Sequence, residues 1–182
     1  DTHDTPRLLT LLGAGGEYRD QTKEWRAQFR LSPRQRSRGK ELLKAAALLM
    51  FCFPGSPTVY YGDEVGMEGF EDPFNRQTYP WGHEDTDLLE WYRALGRLRG
   101  SRQALRRGSI RYAVGKGPLL AFLRETAEER LLCAFNAGDE TRAFSFDEGR
   151  LFPLLGRPHF SQKDGLYTIA IPPRSGAVFA LE

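Results

Sequence analysis

Apolar residues at Leu42, Leu43, Ala46, Ala47, Leu49, Met50 and Phe53 recur at the spacing of one helix face. Ser32-Pro33 opens this predicted helix, with serine as N-cap and proline at the first helical position. Pro54-Gly55 closes it. A second helix is predicted over 86–101, with Leu88, Leu89, Trp91, Tyr92, Leu95 and Leu98 facing inward. Arg97, Arg99 and Arg102 lie near its C-terminus, where cations complement the helix dipole. A shorter helical signal, Thr5 to Leu12, ends at Gly13-Ala14-Gly15-Gly16, and the polar stretch from Glu17 to Leu31 reads as loop. The basic residues Arg34, Arg36, Arg38 and Lys40 read as a solvated face of the first long helix. Thr58-Val59-Tyr60-Tyr61, short, β-branched and aromatic between Pro57 and Gly62, reads as a buried strand. A loop follows from Gly62 to about Glu84.

After Ala104 the period changes from helical to alternating. Strands are predicted around Ile110–Val114, Leu119–Arg124, Leu131–Asn136, Thr141–Phe146, Tyr167–Ile171 and Val178–Ala180, separated by turn residues such as Gly115-Lys116-Gly117-Pro118. This spacing argues an antiparallel β-sandwich. The chain therefore divides into a helix-and-strand part, residues 1–103, and an all-β part, residues 104–182.

Composition narrows the function classes. The 182 residues carry 26 Lys+Arg against 24 Asp+Glu, so bulk charge makes no case for nucleic acid or an anionic membrane. The apolar run from Ala45 to Phe53 is too short to span a bilayer. Cys52 and Cys133 lie inside apolar runs and read as small buried hydrophobes of a reduced protein, which leans weakly toward the cytoplasm. The chain opens on Asp1 rather than Met, so a fragment of a longer protein is expected.

Three clusters carry candidate chemistry. His3-Asp4, beside Asp1, pairs an imidazole with a carboxylate that can bind a hydroxyl or stabilise positive charge; the plainer reading makes Asp4 the N-cap of the helix that Pro6 begins. Asp63 and Glu64 follow the Thr58–Tyr61 segment, where ligands of parallel α/β folds lie, and could equally pair with arginines. Asp72 and Arg76 share a loop with Tyr79 and Trp81, a set suited to sugar hydroxyls and sugar faces, or to binding one another. No phosphate-binding glycine loop and no GxSxG elbow occurs in the sequence. His3, His83 and His159 are far apart, so no metal is assigned.

These residues carry a resemblance. The run Gly55 to Met67 (GSPTVYYGDEVGM) resembles the segment around the eighth barrel strand of the α-amylase family of glycoside hydrolases. Asp72-Pro73-Phe74-Asn75-Arg76 and Pro80-Trp81 resemble the loop that follows in the neopullulanase, cyclomaltodextrinase and maltogenic amylase branch. Thr2-His3-Asp4-Thr5-Pro6-Arg7 resembles the His-Asp motif ending the seventh strand, and Gly108-Ser109-Ile110-Arg111 resembles the passage into the family's C-terminal β domain.

The resemblance implies a fold class of α/β plus all-β: the last strands and helices of a (β/α)8 barrel, then an antiparallel β-sandwich. It implies a retaining glycosidase in which Asp4 is the acid that braces the transition state and His3 contacts the sugar at the cleavage point. Asp72 and Arg76 match a sugar-binding pair, and Glu64 a pocket wall. The expected ligand is an α-glucan or maltooligosaccharide. The family's nucleophile and acid/base belong to the fourth and fifth strands, before residue 1, so this chain alone is expected to be inactive. Any calcium site of the full-length protein is expected mostly upstream as well. The helix and lone strand are expected to need the rest of the barrel or to self-associate. The alternatives are a non-catalytic carbohydrate-binding or assembly module, and part of a glucan transferase or isomerase on the same framework.

Overall fold

A computed structural model describes residues 1–182 apart from Glu17 and Arg19. By packing, the chain forms two compact units, one of residues 1–44 and 57–94, the other of residues 45–56 and 95–182. The change of element type near residue 104 is thus a feature of chain order, while the units follow contact.

The first unit contains α1 (Leu8–Ala14), α2 (Lys23–Gln28), and the opening turns of α3 (Pro33–Cys52) and α4 (Thr86–Ser101). Helix α3 starts where Ser32-Pro33 predicts. The Ser32 hydroxyl accepts from the Gln35 N–H at 3.3 Å, and the Gln35 side-chain oxygen accepts from the Ser32 N–H at 3.0 Å, a reciprocal capping box. Helix α2 corrects the loop reading of 17–31, of which Glu17 and Arg19 lie outside the described residues. The Thr22 hydroxyl caps it by accepting from the Trp25 N–H, and the i, i+4 pair Trp25 and Phe29 then packs on Phe70. Phe70 sits in the core of this unit with Leu9, Leu31, Leu43 and Leu88.

Two further expectations are corrected in this unit. Residues 58–61 form no ladder, and Val59 and Tyr61 are exposed rather than buried. A strand needs a neighbour to satisfy its backbone, and among the described residues none pairs with this segment. The basic residues of α3 are not uniformly solvated either. Arg36 pairs with Glu68 and donates to the Gly66 carbonyl, while Lys40 sits 2.8 Å from Asp85 and 3.2 Å from Asp87. Arg34 and Arg38 do lie on the exposed side. Asp85 also accepts from the Leu88 N–H, so the same carboxylate caps the start of α4.

The second unit takes the C-terminal turns of α3 and α4, helix α5 (Gln103–Arg107), and eight strands. These are β1 (Ser109–Lys116), β2 (Leu119–Glu125), β3 (Arg130–Asn136), β4 (Arg142–Phe146), β5 (Leu151–Leu155), β6 (His159–Lys163), β7 (Leu166–Ile171) and β8 (Ser175–Leu181). They make a five-stranded sheet in the order β1-β2-β3-β8-β5 and a three-stranded sheet β4-β7-β6, every pair antiparallel. Leu123, Leu132 and Phe179, in register across β2, β3 and β8, belong to the core with Phe144, Phe146 and Ile169 of the smaller sheet. The alternate positions Phe122, Cys133 and Val178 are also fully buried, on the opposite face, where Phe53 meets Phe122 edge-on with centroids 5.9 Å apart. Burial on both faces explains why β2 and β3 read as near-continuous apolar runs.

Strands β5 and β6 escaped the sequence pattern for different reasons. Pro153 argues against a strand, but β5 is an edge, and the register shifts between Pro153 and Leu155. All five residues of β6 are exposed, so no alternation marks it. Cys52 and Cys133 are free and fully buried. No helix among the described residues is long and apolar enough to cross a membrane.

Arg124 holds the end of α3 in this unit. It is 1% exposed, and its guanidinium donates to the carbonyls of Cys52 at 2.5 Å, Gly108 at 2.8 Å and Ser109 at 3.3 Å. Burial lowers its pKa from the ordinary arginine value, so these carbonyls offset a real desolvation cost. Arg124→Ala leaves those acceptors without their donor and is expected to cost about 3 kcal/mol. Denaturant unfolding of the chain checks this; a midpoint unchanged from the parent would count against it.

Candidate functional site

The site is built from residues 1–7 and 60–81 of the first unit. A tight turn folds the opening residues: the Thr5 N–H donates to the Thr2 carbonyl at 3.3 Å, and the Thr5 hydroxyl accepts from the Thr2 N–H at 2.8 Å. Asp1, not Asp4, accepts from the Leu8 N–H at the start of α1, at 2.9 Å. The capping alternative for Asp4 is thereby set aside, and its carboxylate is used elsewhere.

Arg7 is the hub. Its side chain is fully buried, and it reaches three places more than fifty residues away. Nε donates to the Asn75 carbonyl at 2.9 Å, and Nη1 donates to the Tyr61 carbonyl and to Asp63 Oδ1, the latter at 3.2 Å. The rings of Tyr60 and Tyr61 lie 4.3 and 4.7 Å from its guanidinium carbon, within cation–π range, and 4.8 Å from one another. The Arg7 N–H donates to the Gly69 carbonyl, and the Gly69 N–H donates to the Thr10 hydroxyl. Only glycine fits there: φ is 156°, and a Cβ would stand 2.1 Å from the Phe74 carbonyl oxygen.

Asn75 completes the frame. Also fully buried, its Nδ2 donates to the carbonyls of His3 and Thr5, both at 2.8 Å, and to that of Thr2 at 3.4 Å. Next to it, Arg76 Nε donates to the His3 carbonyl at 3.1 Å and lies 3.1 Å from Asp72 Oδ1, while its Nη2 lies 3.4 Å from Asp4 Oδ1. His3 Nε2 is 3.0 Å from Asp4 Oδ2. Four of the five residues expected from sequence therefore converge: His3, Asp4, Asp72 and Arg76. Their side chains are open to solvent above a buried support of Arg7 and Asn75.

Glu64 is engaged apart from this group. Its Oε2 accepts from the Gly62 N–H at 2.8 Å. Asp63, its neighbour, turns inward to Arg7, the structural of its two sequence readings. The roles of Arg7 and Asn75 were not legible in the sequence. Both stand inside the quoted motifs, but a charged or amide side chain is expected at the surface unless a partner is known.

Chemically, the exposed group offers an imidazole, two carboxylates and a guanidinium held at fixed spacing. Carboxylates accept from vicinal hydroxyls, and a guanidinium with free edges donates to them. Such a set has the chemistry to hold a polyhydroxylated ligand.

No protein-family model matches the chain. An amylopullulanase of Thermoanaerobacter thermohydrosulfuricus is 29% identical over 194 residues, covering 97% of this chain and 12% of the relative. A cyclomaltodextrinase of a Bacillus species is 32% identical over 152 residues, covering 80% of this chain and 23% of the relative. Among solved structures, an Anoxybacillus α-amylase superposes with a TM-score of 0.80 at 27% identity, covering 100% of this chain and 36% of that one. Fold and site together define a homologue of α-amylase-type glycoside hydrolases. Its relatives are amylopullulanase, cyclomaltodextrinase, neopullulanase and maltogenic amylase, and it matches only a small part of the length of each.

Burial sets a pH dependence in the support. It raises the Asp63 carboxyl to about 6, against the opposing pull of Arg7. A folded-state pKa above the unfolded one means the fold favours the protonated acid. Its stabilising effect is therefore full below the unfolded value and is lost as pH rises through about 6. Asp63→Asn stays neutral and removes that slope, at most about 3 kcal/mol in all. Unfolding midpoints measured between about pH 4 and pH 7 check this; parallel curves for the two proteins would refute it.

Proposed function

We propose that this chain supplies the glucan-binding and transition-state-bracing side of the cleft of a retaining α-glucan hydrolase. The intact protein would cleave α-1,4 links, with α-1,6 links as a further class. In this reading Asp4 stabilises the positive charge that develops on the sugar, and His3 hydrogen-bonds the sugar at the cleavage point. Asp72 and Arg76 bind the adjoining sugar, and Glu64 lies along the wall.

The observation that carries the reading is the meeting of His3-Asp4 with Asp72 and Arg76, about seventy positions apart in the chain, on one solvent-facing group. The relatives' activities support the substrate class. A carboxylate held by Arg76 and an imidazole suits charge stabilisation at an oxocarbenium-like centre.

The same proposal makes the chain inactive by itself. Retaining hydrolysis needs a nucleophile and an acid about 5–5.5 Å apart. The resemblance assigns those two carboxylates to strands outside this chain. The extended segment 58–61, with Val59 and Tyr61 exposed, is where further strands of a barrel would pair.

The chain is expected to bind maltooligosaccharides without turning over starch, pullulan or cyclodextrin. Arg76→Ala is expected to weaken that binding by about tenfold or more, the loss of a charged hydrogen-bonding partner. Reducing-sugar release and calorimetric titration check both statements. Turnover comparable to an intact amylase would overturn the first, and unchanged affinity in Arg76→Ala the second.

A further inference from the structure

Cys52 and Cys133 take no part in the candidate site, and both are free and fully buried in the second unit. Sheet register places Cys133. It lies on β3, the middle strand of the five-stranded sheet, directly opposite Phe122 on β2 and Val178 on β8. Residues two apart on a strand share a face. Leu131, Cys133 and Phe135 therefore look away from the core that holds Leu132 and Ala134.

The end of α3 lies on that outer face. Gly176, the partner of Phe135, has no room there: a Cβ would stand 2.9 Å from Leu48 Cδ2. One helical turn further on, the Cys52 carbonyl accepts from Arg124, whose partner on β3 is Leu131. The Phe53 ring meets that of Phe122, the partner of Cys133. Leu48 and Cys52 are four residues apart and share a helix face. The helix thus runs over the sheet from Phe135 toward Leu131, and Cys133 lies midway, beneath the turn that ends in Cys52. Burial, and after it Cys52, pushes the Cys133 thiol pKa upward, as two thiols buried together should.

Two thiols are too few for a structural metal, and among the described residues no three His, Cys, Asp or Glu side chains gather to hold one. The chemistry left to the pair is oxidation. The two are not equally guarded. Cys133 has a paired strand on either side. Cys52 is the last residue of its helix, and Phe53, Pro54 and Gly55 after it are exposed. Helix ends open more readily than middle strands. Arg124 is the tie that holds this end down.

We propose that Cys52 and Cys133 are an oxidisable pair: hydrogen peroxide converts them to a disulfide that staples the end of α3 to β3, and Arg124 slows the reaction by holding that end closed. First the Cys52 sulfur attacks one peroxide oxygen and the O–O bond breaks, giving a sulfenic acid and one water. Then the Cys133 sulfur attacks the sulfenic sulfur, its proton leaves with the hydroxyl as a second water, and the S–S bond forms. Two thiols are oxidised and one peroxide is reduced. The proposal is independent of the glucan reading.

The test treats the reduced chain with hydrogen peroxide under native conditions, then denatures and alkylates it. The chain is expected to take up no alkylating agent, to lose the mass of two hydrogen atoms, and to yield one peptide pair joined through Cys52 and Cys133. Its thermal midpoint is expected to rise by several degrees and to return with dithiothreitol, because the bond closes a long loop of the unfolded chain. Cys133→Ala removes the second thiol, so the same treatment is expected to leave Cys52 oxidised singly, with no rise. Arg124→Lys keeps the charge but not the fork that serves three carbonyls, and cross-linking is expected to quicken severalfold. Two alkylatable thiols after treatment, separate oxidation of each, or a bond formed only between chains would overturn the pair. An unchanged rate in Arg124→Lys would overturn the guarding role of Arg124.

Discussion

A guanidinium removed wholly from water is costly unless every donor finds a partner. Arg7 meets much of that condition by reaching across more than fifty residues of chain: Nε and Nη1 donate to the carbonyls of Asn75 and Tyr61 and to the Asp63 carboxylate, while Nη2 has the weaker Met67 Sδ at 4.0 Å. The bonds are directional, so satisfying them also sets where the three segments lie. Hydrophobic burial in the adjoining core of Leu9, Leu43, Phe70 and Leu88 supplies driving force but no such aim. The placement of His3 and Asp4 just before Arg7, and of Asp72 and Arg76 beside Asn75, follows from this tie. Asn75 reinforces it by donating to the carbonyls on either side of Asp4.

The second unit uses the same device. Arg124 spends its donors on three carbonyls and secures the end of α3 and the start of β1. Arg99 does the like from α4, donating to the carbonyls of Phe51, Phe53 and Gly55. In both units a buried or half-buried arginine binds carbonyls of loops and of element ends, such as the last turn of α3. The exposed chemistry of the first unit therefore rests on groups that make no contact with solvent.

The legible parts of the sequence were those with a strong period or a strong stop. Helix α4 runs from Thr86 to Ser101 as its apolar spacing predicts, and α3 begins at the Ser32-Pro33 signal. Six of the strands lie where alternation and turn residues place them. Helix α2 has too few residues for a period to register, and β6 has no buried face to give one. The segment 58–61 carries strand-forming residues, but a strand is a property of two chains of backbone, not of one sequence. At the site, His3, Asp4, Asp72 and Arg76 could be picked out because exposed polar groups advertise their chemistry. Arg7 and Asn75 could not, since their role lies in long-range partners that no local pattern encodes.

The central claim is that the fork of Arg7 positions the His3–Asp4 turn against Arg76. Lysine at position 7 retains the charge but not the planar fork, so it cannot serve Asn75, Tyr61 and Asp63 together. Two-dimensional NMR of Arg7→Lys, observing the His3 imidazole and the Arg76 Nε–H, tests the claim most directly. The account predicts that both signals move to solvent-averaged positions while the β-sandwich resonances stay in place. Native positions for His3 and Arg76 in the lysine variant would contradict it.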